Sequence, residues 1–191
     1  MLSLIFDTET SGFPLWKSPP SDPNQPHLVQ LAALMTKGDE IISFYDTIVS
    51  CPVEISEGAA KVHGISTSRS RTEGVSSRQA VVKFDGIVSM ADRIVCHNVE
   101  FDLLIMRAAY SRAEISTSVL DSKPTVCTML TATSLLKLRG KRGYKWPKLD
   151  EAFRALVDTR GFEGAHSADA DTLACWKVLR ALENKGVELI S

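Results

Sequence analysis

Leu4-Ile5-Phe6-Asp7-Thr8-Glu9-Thr10 is the stretch on which the fold turns. Three large apolar residues in succession suit a strand covered on both faces, and residues two apart on a strand share a face. Asp7 and Glu9 therefore project together from the end of that strand. Carboxylates held side by side repel each other and resist desolvation, so a positive charge belongs between them, and a divalent metal is the simplest supply. Asp, Thr and Gly12 also suit an ordinary solvated turn, so the rest of the chain has to decide between the two readings.

With 191 residues, 44% of them hydrophobic and 24% charged, the chain has the balance of a globular protein and is read as one domain over 1–191. Asp7 and Glu9 break the first apolar run almost at once, so no secretory signal and no membrane association is expected, and the cytoplasm is the expected location. The formal net charge of −1 means that binding to nucleic acid has to rest on a local basic patch. Cys51, Cys96, Cys127 and Cys175 are far apart and lack metal-type pairing, which fits reduced, buried thiols.

Residues 14–27 hold five of the eight prolines together with Trp16 and cannot form a regular helix or central strand. A loop of this length beside the carboxylates is either a lip over a groove or a tolerated surface insertion. Residues 28–34 and 41–49 read as strands joined through Lys37-Gly38-Asp39-Glu40, giving an antiparallel meander with the first strand. A short helix over 56–62 with Ser56 as N-cap is followed by a polar connection, 66–72. Ala80, Val81, Phe84, Ile87 and Val88 then repeat at helical spacing after a cap at Ser76 or Ser77. Arg93-Ile94-Val95-Cys96 is a short strand, and the helix after it carries Phe101, Leu104, Ile105 and Ala108 as one stripe. Helix, strand and helix in succession imply a crossover and parallel pairing. Residues 124–129 suit one more strand, and 131–138, 148–157 and 168–182 suit helices.

Asn98 is a good N-cap for the helix after the fourth strand, and Glu100 answers the helix dipole. Asp102 needs another reason, because it borders the apolar stripe; reaching over the sheet toward the first strand supplies one. His166 and Asp171 are five apart and would not share a face of a continuous helix. If the helix starts at Ser167 or Ala168, His166 folds over its beginning toward Asp171, where an imidazole can move a proton. Four carboxylates, Asp7, Glu9, Asp102 and Asp171, form the oxygen donor set that hard cations such as Mg²⁺ require. Two such ions about 3.5 to 4 Å apart clamp the attacking and leaving oxygens of a phosphodiester displacement. Residues 137–146 contain five basic side chains, no acid and two aromatics, which suits phosphate contact and base stacking as well as it suits a solvated loop.

Asp7-Thr8-Glu9-Thr10, His97-Asn98 through Phe101-Asp102, and His166-x-Ala168-x-x-Asp171 resemble, in order, the three motifs of the DEDDh exonucleases, the DnaQ-like group that includes bacterial proofreading subunits. Val62-His63-Gly64-Ile65 and Tyr144-Lys145-Trp146-Pro147-Lys148-Leu149 are similar to ancillary segments of that family. The resemblance implies an α/β, ribonuclease H-like fold: a central mixed sheet, three antiparallel strands and then parallel ones, flanked by helices. It implies removal of nucleotides from a 3′ end as nucleoside 5′-monophosphates, with two divalent ions, Mg²⁺ or Mn²⁺. Asp7 would bridge the ions, Glu9 and Asp171 would hold the one that binds the attacking water, Asp102 would support the second, and His166 would be the general base. Thr8, Thr10, His63, Asn98, Phe101 and Lys145 would contact the substrate.

The expected substrate is the 3′ end of single-stranded or frayed DNA. RNA trimming by the same chemistry and a non-catalytic nucleic-acid-binding domain are the rivals. A polymerase or replication partner would be transient, because the chain ends soon after its last helix without a tether, which favours a stand-alone enzyme.

Overall fold

The computed structural model describes residues 1–141 and 143–191. Strands β1 (Ser3–Thr10), β2 (Leu28–Lys37) and β3 (Glu40–Ile48) form the antiparallel meander, and β4 (Arg93–Cys96) and β5 (Thr125–Cys127) add to it in parallel. The resulting order is β3-β2-β1-β4-β5, with β1 in the centre. The parallel pairing with β4 covers only Ser3 to Ile5, so the end of β1 that carries Asp7 and Glu9 runs on past its neighbour. That overrun leaves room for other elements to reach the acids.

Helices α1 (Glu57–His63), α2 (Thr67–Glu73) and α3 (Ser77–Met90) lie between β3 and β4. Ser56 caps α1 by accepting the Ala59 N–H at 3.2 Å, and Gly64 ends it at φ 73°, a left-handed conformation that glycine adopts without steric cost. The segment read as a polar connection is α2. Its docking is polar: the Ser70 hydroxyl, fully buried, donates to the Val49 carbonyl and accepts the Cys51 N–H, both at 2.8 Å. Apolar periodicity therefore gives no sign of this helix. α3 buries Ala80, Val81, Phe84, Ile87 and Val88, the five residues its spacing predicts.

After β4 come α4 (Val99–Ala113) and α5 (Ser118–Asp121), then β5, α6 (Thr128–Leu136), the two-stranded ribbon of β6 (Arg139–Gly140) and β7 (Gly143–Tyr144), α7 (Leu149–Leu156) and α8 (Ala168–Asn184). The ribbon falls within the basic stretch 137–146; Arg142 of that stretch lies outside the described residues. α4 corrects the predicted stripe. Ile105 and Ala108 of that stripe are buried as expected, but the buried face also takes in Val99, Asp102, Leu103, Met106, Ala109 and Tyr110, while Phe101 and Leu104 stay partly exposed. The helix is rotated because Asp102 faces the sheet and the Tyr110 hydroxyl donates to Asp85 at 3.0 Å.

The alternation along β1 divides the core. Leu4 and Phe6 pack in the layer of α3 and α4, where Phe6 meets Phe84 edge-on at 4.9 Å, and Ile5 packs on the other face against Cys175 and Leu179 of α8. Asp7 and Glu9 continue the face of Ile5, toward the start of α8. All four cysteines are free and buried, and among the described residues no helix is long and apolar enough to cross a membrane.

Candidate active site

Asp7, Glu9 and Asp171 each offer an oxygen within 4.8 Å of the others, and all three are half-buried. Two local devices bring Asp171 there. Gln30, opposite Glu9 in the β1–β2 register, accepts the Ala168 N–H at 3.3 Å and donates to Asp46 at 2.9 Å, tying β2 to the first residue of α8. His166 adopts φ 69°, uncommon for a residue with a Cβ, and its N–H donates to Asp171 Oδ2 at 3.1 Å. The chain turns sharply into α8, and the exposed imidazole starts directly beside the acid.

Asp102 stands outside that trio and arrives from the opposite layer. It is 2% exposed and accepts both the Thr8 N–H at 3.0 Å and the Thr8 hydroxyl at 2.8 Å. The expectation that it reaches over the sheet to the first strand is met at Thr8, between the two other acids in sequence. Asn98 does not cap α4 with its side chain as expected. It sits in the left-handed region at φ 75°, which Asn tolerates, and its carbonyl accepts the Phe101 N–H at 2.9 Å.

Burial is the largest cause of a raised pKa for every acid of this cluster. It lifts Asp7 well above the ordinary carboxylate range, with the charges of Asp102, Asp171 and Glu9 adding to it. Glu9 is pushed up to about 8 by burial and then by Asp171 and Asp102. Asp102 rises to about 7 against the pull of the two Thr8 bonds, and Asp171 to about 6, held back by the His166 N–H. Without a cation the four cannot all be ionised at neutral pH. An all-carboxylate donor set suits a hard divalent ion. Burial also raises the nearby Cys96 thiol well above its usual range, which keeps it protonated and a poor metal ligand.

A cavity of about 240 Å³ opens beside Glu9, walled by Phe13, Val62, His63 and Phe101. Phe13, 93% exposed, is the wall that the sequence reading missed; its one signal is a large apolar side chain directly after Gly12 in a loop. His63 Nδ1 accepts the Ile65 N–H at 3.1 Å, so Nε2 carries the proton and donates to the Thr10 carbonyl at 3.2 Å. Burial lowers its pKa, the ring is neutral, and only its face is free for a ligand.

Other residues predicted to contact substrate are engaged internally. The Thr8 hydroxyl is committed to Asp102, the Thr10 hydroxyl donates to the Gly12 carbonyl at 2.6 Å, and Lys145 pairs with Glu151, which also accepts the Lys148 N–H at the start of α7. Phe101 keeps an open face.

The proline-rich loop is pinned. The Gln25 side chain, 1% exposed, accepts the Leu15 N–H at 3.1 Å and donates to the carbonyls of Leu15 and Ser18 at 3.0 and 3.2 Å. Arg112 of α4 donates to the Pro26 carbonyl at 3.0 Å and also to that of Gln25. Ser11 and His27 close the base of the loop with reciprocal bonds of 2.9 Å, and Trp16 lies 6.3 Å from Phe101, centroid to centroid.

A β3-β2-β1-β4-β5 sheet with acids at the end of its central strand and at the starts of α4 and α8 defines a ribonuclease H-like fold with a carboxylate cluster. The profile of the RNase T family, described as exonuclease, matches residues 4–179. The chain belongs to that family, the DnaQ-like DEDDh exonucleases. It is 28% identical over 137 residues to the PolC-type DNA polymerase III of Thermotoga maritima, a match that covers 71% of this chain and 9% of that protein. Escherichia coli Exonuclease I in complex with a dT13 oligonucleotide superposes with a TM-score of 0.79 at 18% identity, covering 95% of this chain and 41% of that one. Exonuclease I from Methylocaldum szegediense gives a TM-score of 0.76 at 18% identity, over 96% and 40% of the two chains. The zinc-bound E. coli Exonuclease I complex with single-stranded DNA gives 0.75 at 19% identity, over 96% and 40%. The chain thus spans well under half the length of each of these relatives.

Proposed function

We propose that residues 1–191 form a single metal-dependent 3′→5′ exonuclease domain, working in the cytoplasm on single-stranded or frayed DNA and releasing nucleoside 5′-monophosphates. The observation that carries this reading is the convergence of Asp7, Glu9 and Asp171 within 4.8 Å at the end of β1, with Asp102 bonded to Thr8 between them. Two divalent ions, Mg²⁺ or Mn²⁺, would be held here, with Asp7 shared between them, Glu9 and Asp171 on the first and Asp102 supporting the second. When bound, the ions polarise the phosphate and acidify a bound water.

His166 takes the proton of the attacking water, because its backbone bond to Asp171 starts the imidazole beside the first-ion acids while the ring stays exposed. Phe13, Val62, Phe101 and the face of His63 receive the terminal base, and a cavity of about 240 Å³ suits one unpaired base better than a duplex end. The likeness to a PolC-type polymerase and to Exonuclease I bound to DNA oligonucleotides favours DNA over RNA and allows a transient polymerase partner.

A time course with 3′- and 5′-labelled DNA and RNA of equal sequence tests the reading. Mg²⁺ or Mn²⁺ supports mononucleotide release from the 3′ end of DNA, and EDTA or Asp7→Ala abolishes it. Activity that survives in Asp7→Ala refutes the metal assignment, and faster release from RNA moves the substrate to RNA. Binding of single strands in EDTA with no shortening in Mn²⁺ turns the domain into a binding module. His166→Ala lowers turnover by about 100-fold or more with Mn²⁺ binding retained, the scale of a lost general base.

A further inference from the structure

A second cavity, of about 460 Å³, is lined by the start of α4 and by Trp16, which lies 6.3 Å from Phe101 of the pocket beside Glu9. Trp16 of the proline-rich loop and Trp146, just after the β6–β7 ribbon, flank it, and Asn98, Met129 and Leu130 line it between them. Both indoles are largely exposed, at 58% and 65%, although tryptophan is a residue that folding normally covers. The volume falls in the range of roughly 300 to 1,000 Å³ typical of small-ligand sites.

We propose that the cavity between Trp16 and Trp146 is a base-binding subsite for the nucleotide upstream of the scissile one, so that the enzyme reads the length of an unpaired strand. This deepens the exonuclease reading above and rests on it. Three observations carry it. Phe101 lines the terminal pocket and lies 6.3 Å, centroid to centroid, from Trp16, which lines the second cavity, so an aromatic pair joins the two. The lining is mostly apolar or aromatic, with Asn98 and Ser191 as its uncharged polar members, and its one charged side chain, Glu100, carries the sign of phosphate, so the occupant is a base rather than a phosphate. Arg139 of β6 and Lys141 just after it are exposed, so the ribbon that leads into Trp146 carries cations suited to the strand's phosphates. Trp16 also cannot retreat, because Gln25 holds its neighbour Leu15 by both N–H and carbonyl.

Stacking of one base on an aromatic side chain contributes about 1 to 3 kcal/mol, which corresponds to roughly 5- to 150-fold in affinity. The test compares kcat/KM for a trithymidylate with that for the p-nitrophenyl ester of thymidine 5′-monophosphate, which fills the terminal pocket alone. Trp16→Ala or Trp146→Ala is expected to lower the ratio of the two about 10-fold, and Phe at either position to restore most of it. Binding of the trithymidylate with Ca²⁺ in place of Mg²⁺ is expected to quench wild-type tryptophan emission. That quenching should vanish in the double Trp16→Phe, Trp146→Phe variant, whose remaining Trp176 donates to the Gly38 carbonyl at the β2–β3 turn. An unchanged ratio and retained quenching, in variants that still cleave both substrates, overturn the subsite and leave the exonuclease reading standing. Failure of the wild type to cleave either substrate overturns the exonuclease reading and the subsite with it.

Discussion

Metal-free protein should become less stable as pH rises from 6.5 to 8, the reverse of a protein whose carboxylates are paired with cationic side chains. The sign follows from proton binding. Glu9 at about 8, Asp102 at about 7 and Asp7, raised well above the usual range, still hold protons in the folded state, whereas the unfolded chain ionises them near pH 4. The folded state therefore binds more protons than the unfolded one across this window, and stability falls with pH. Burial depresses His97 to about 4 and lowers His63 and His27, and these give the opposite slope, but only up to the unfolded histidine value near 6.5.

One excess proton is worth about 1.4 kcal/mol per pH unit, so crediting the coupled cluster with a single net proton gives about 2 kcal/mol over the window. For a chain of this length that is a fall in Tm of about 4 to 8 °C. Thermal melts in EDTA at pH 6.5, 7, 7.5 and 8 read it directly. Saturating Mn²⁺ should flatten the slope and raise Tm, and Asp7→Asn should raise Tm in EDTA at pH 8 while losing the response to Mn²⁺. A Tm in EDTA that is flat or climbs over this window, or an unaltered slope in Asp7→Asn, would refute the electrostatic argument.

Thr8→Val removes the hydroxyl bonded to Asp102 but keeps the backbone bond, and should cost about 1 to 3 kcal/mol in urea denaturation. Because that hydroxyl lowers the Asp102 pKa, its loss should also move the acid limb of the rate profile to higher pH; an unmoved limb would show that Asp102 ionisation does not gate metal binding. Gln25→Ala leaves buried groups of the loop without partners, and trypsin should then cleave after Lys17 about 5- to 150-fold faster, as expected for about 1 to 3 kcal/mol of lost local stability.

Most of the architecture could be read from apolar spacing. The run Leu4 to Phe6 is buried on both faces, the five core residues of α3 are those of its pattern, and the meander and the later parallel strands follow the expected order. Failures occur where polar bonds override the pattern. α2 is docked through Ser70, and α4 is rotated so that an acid points inward to Thr8. In the candidate site, the period of two along β1 places Asp7 and Glu9 together, whereas the approach of Asp171 depends on Gln30, whose link to Ala168 crosses 138 positions of chain. No local signal encodes such a bond. Thr10, His63 and Lys145 illustrate a second limit, because a side chain suited to bind a ligand is equally suited to hold its own backbone or a neighbouring acid, and only packing decides between them.

Helix α4 joins two things that the sequence keeps apart. Its first turn presents Asp102 to β1, and three turns later Arg112 grips the carbonyls that close the proline-rich loop. The helix acts as a rigid beam with the acid at one end and the loop's anchor at the other. A tilt large enough to lift the loop would pull Asp102 off Thr8, so the wall that carries Trp16 and the acid that completes the cluster have to keep step.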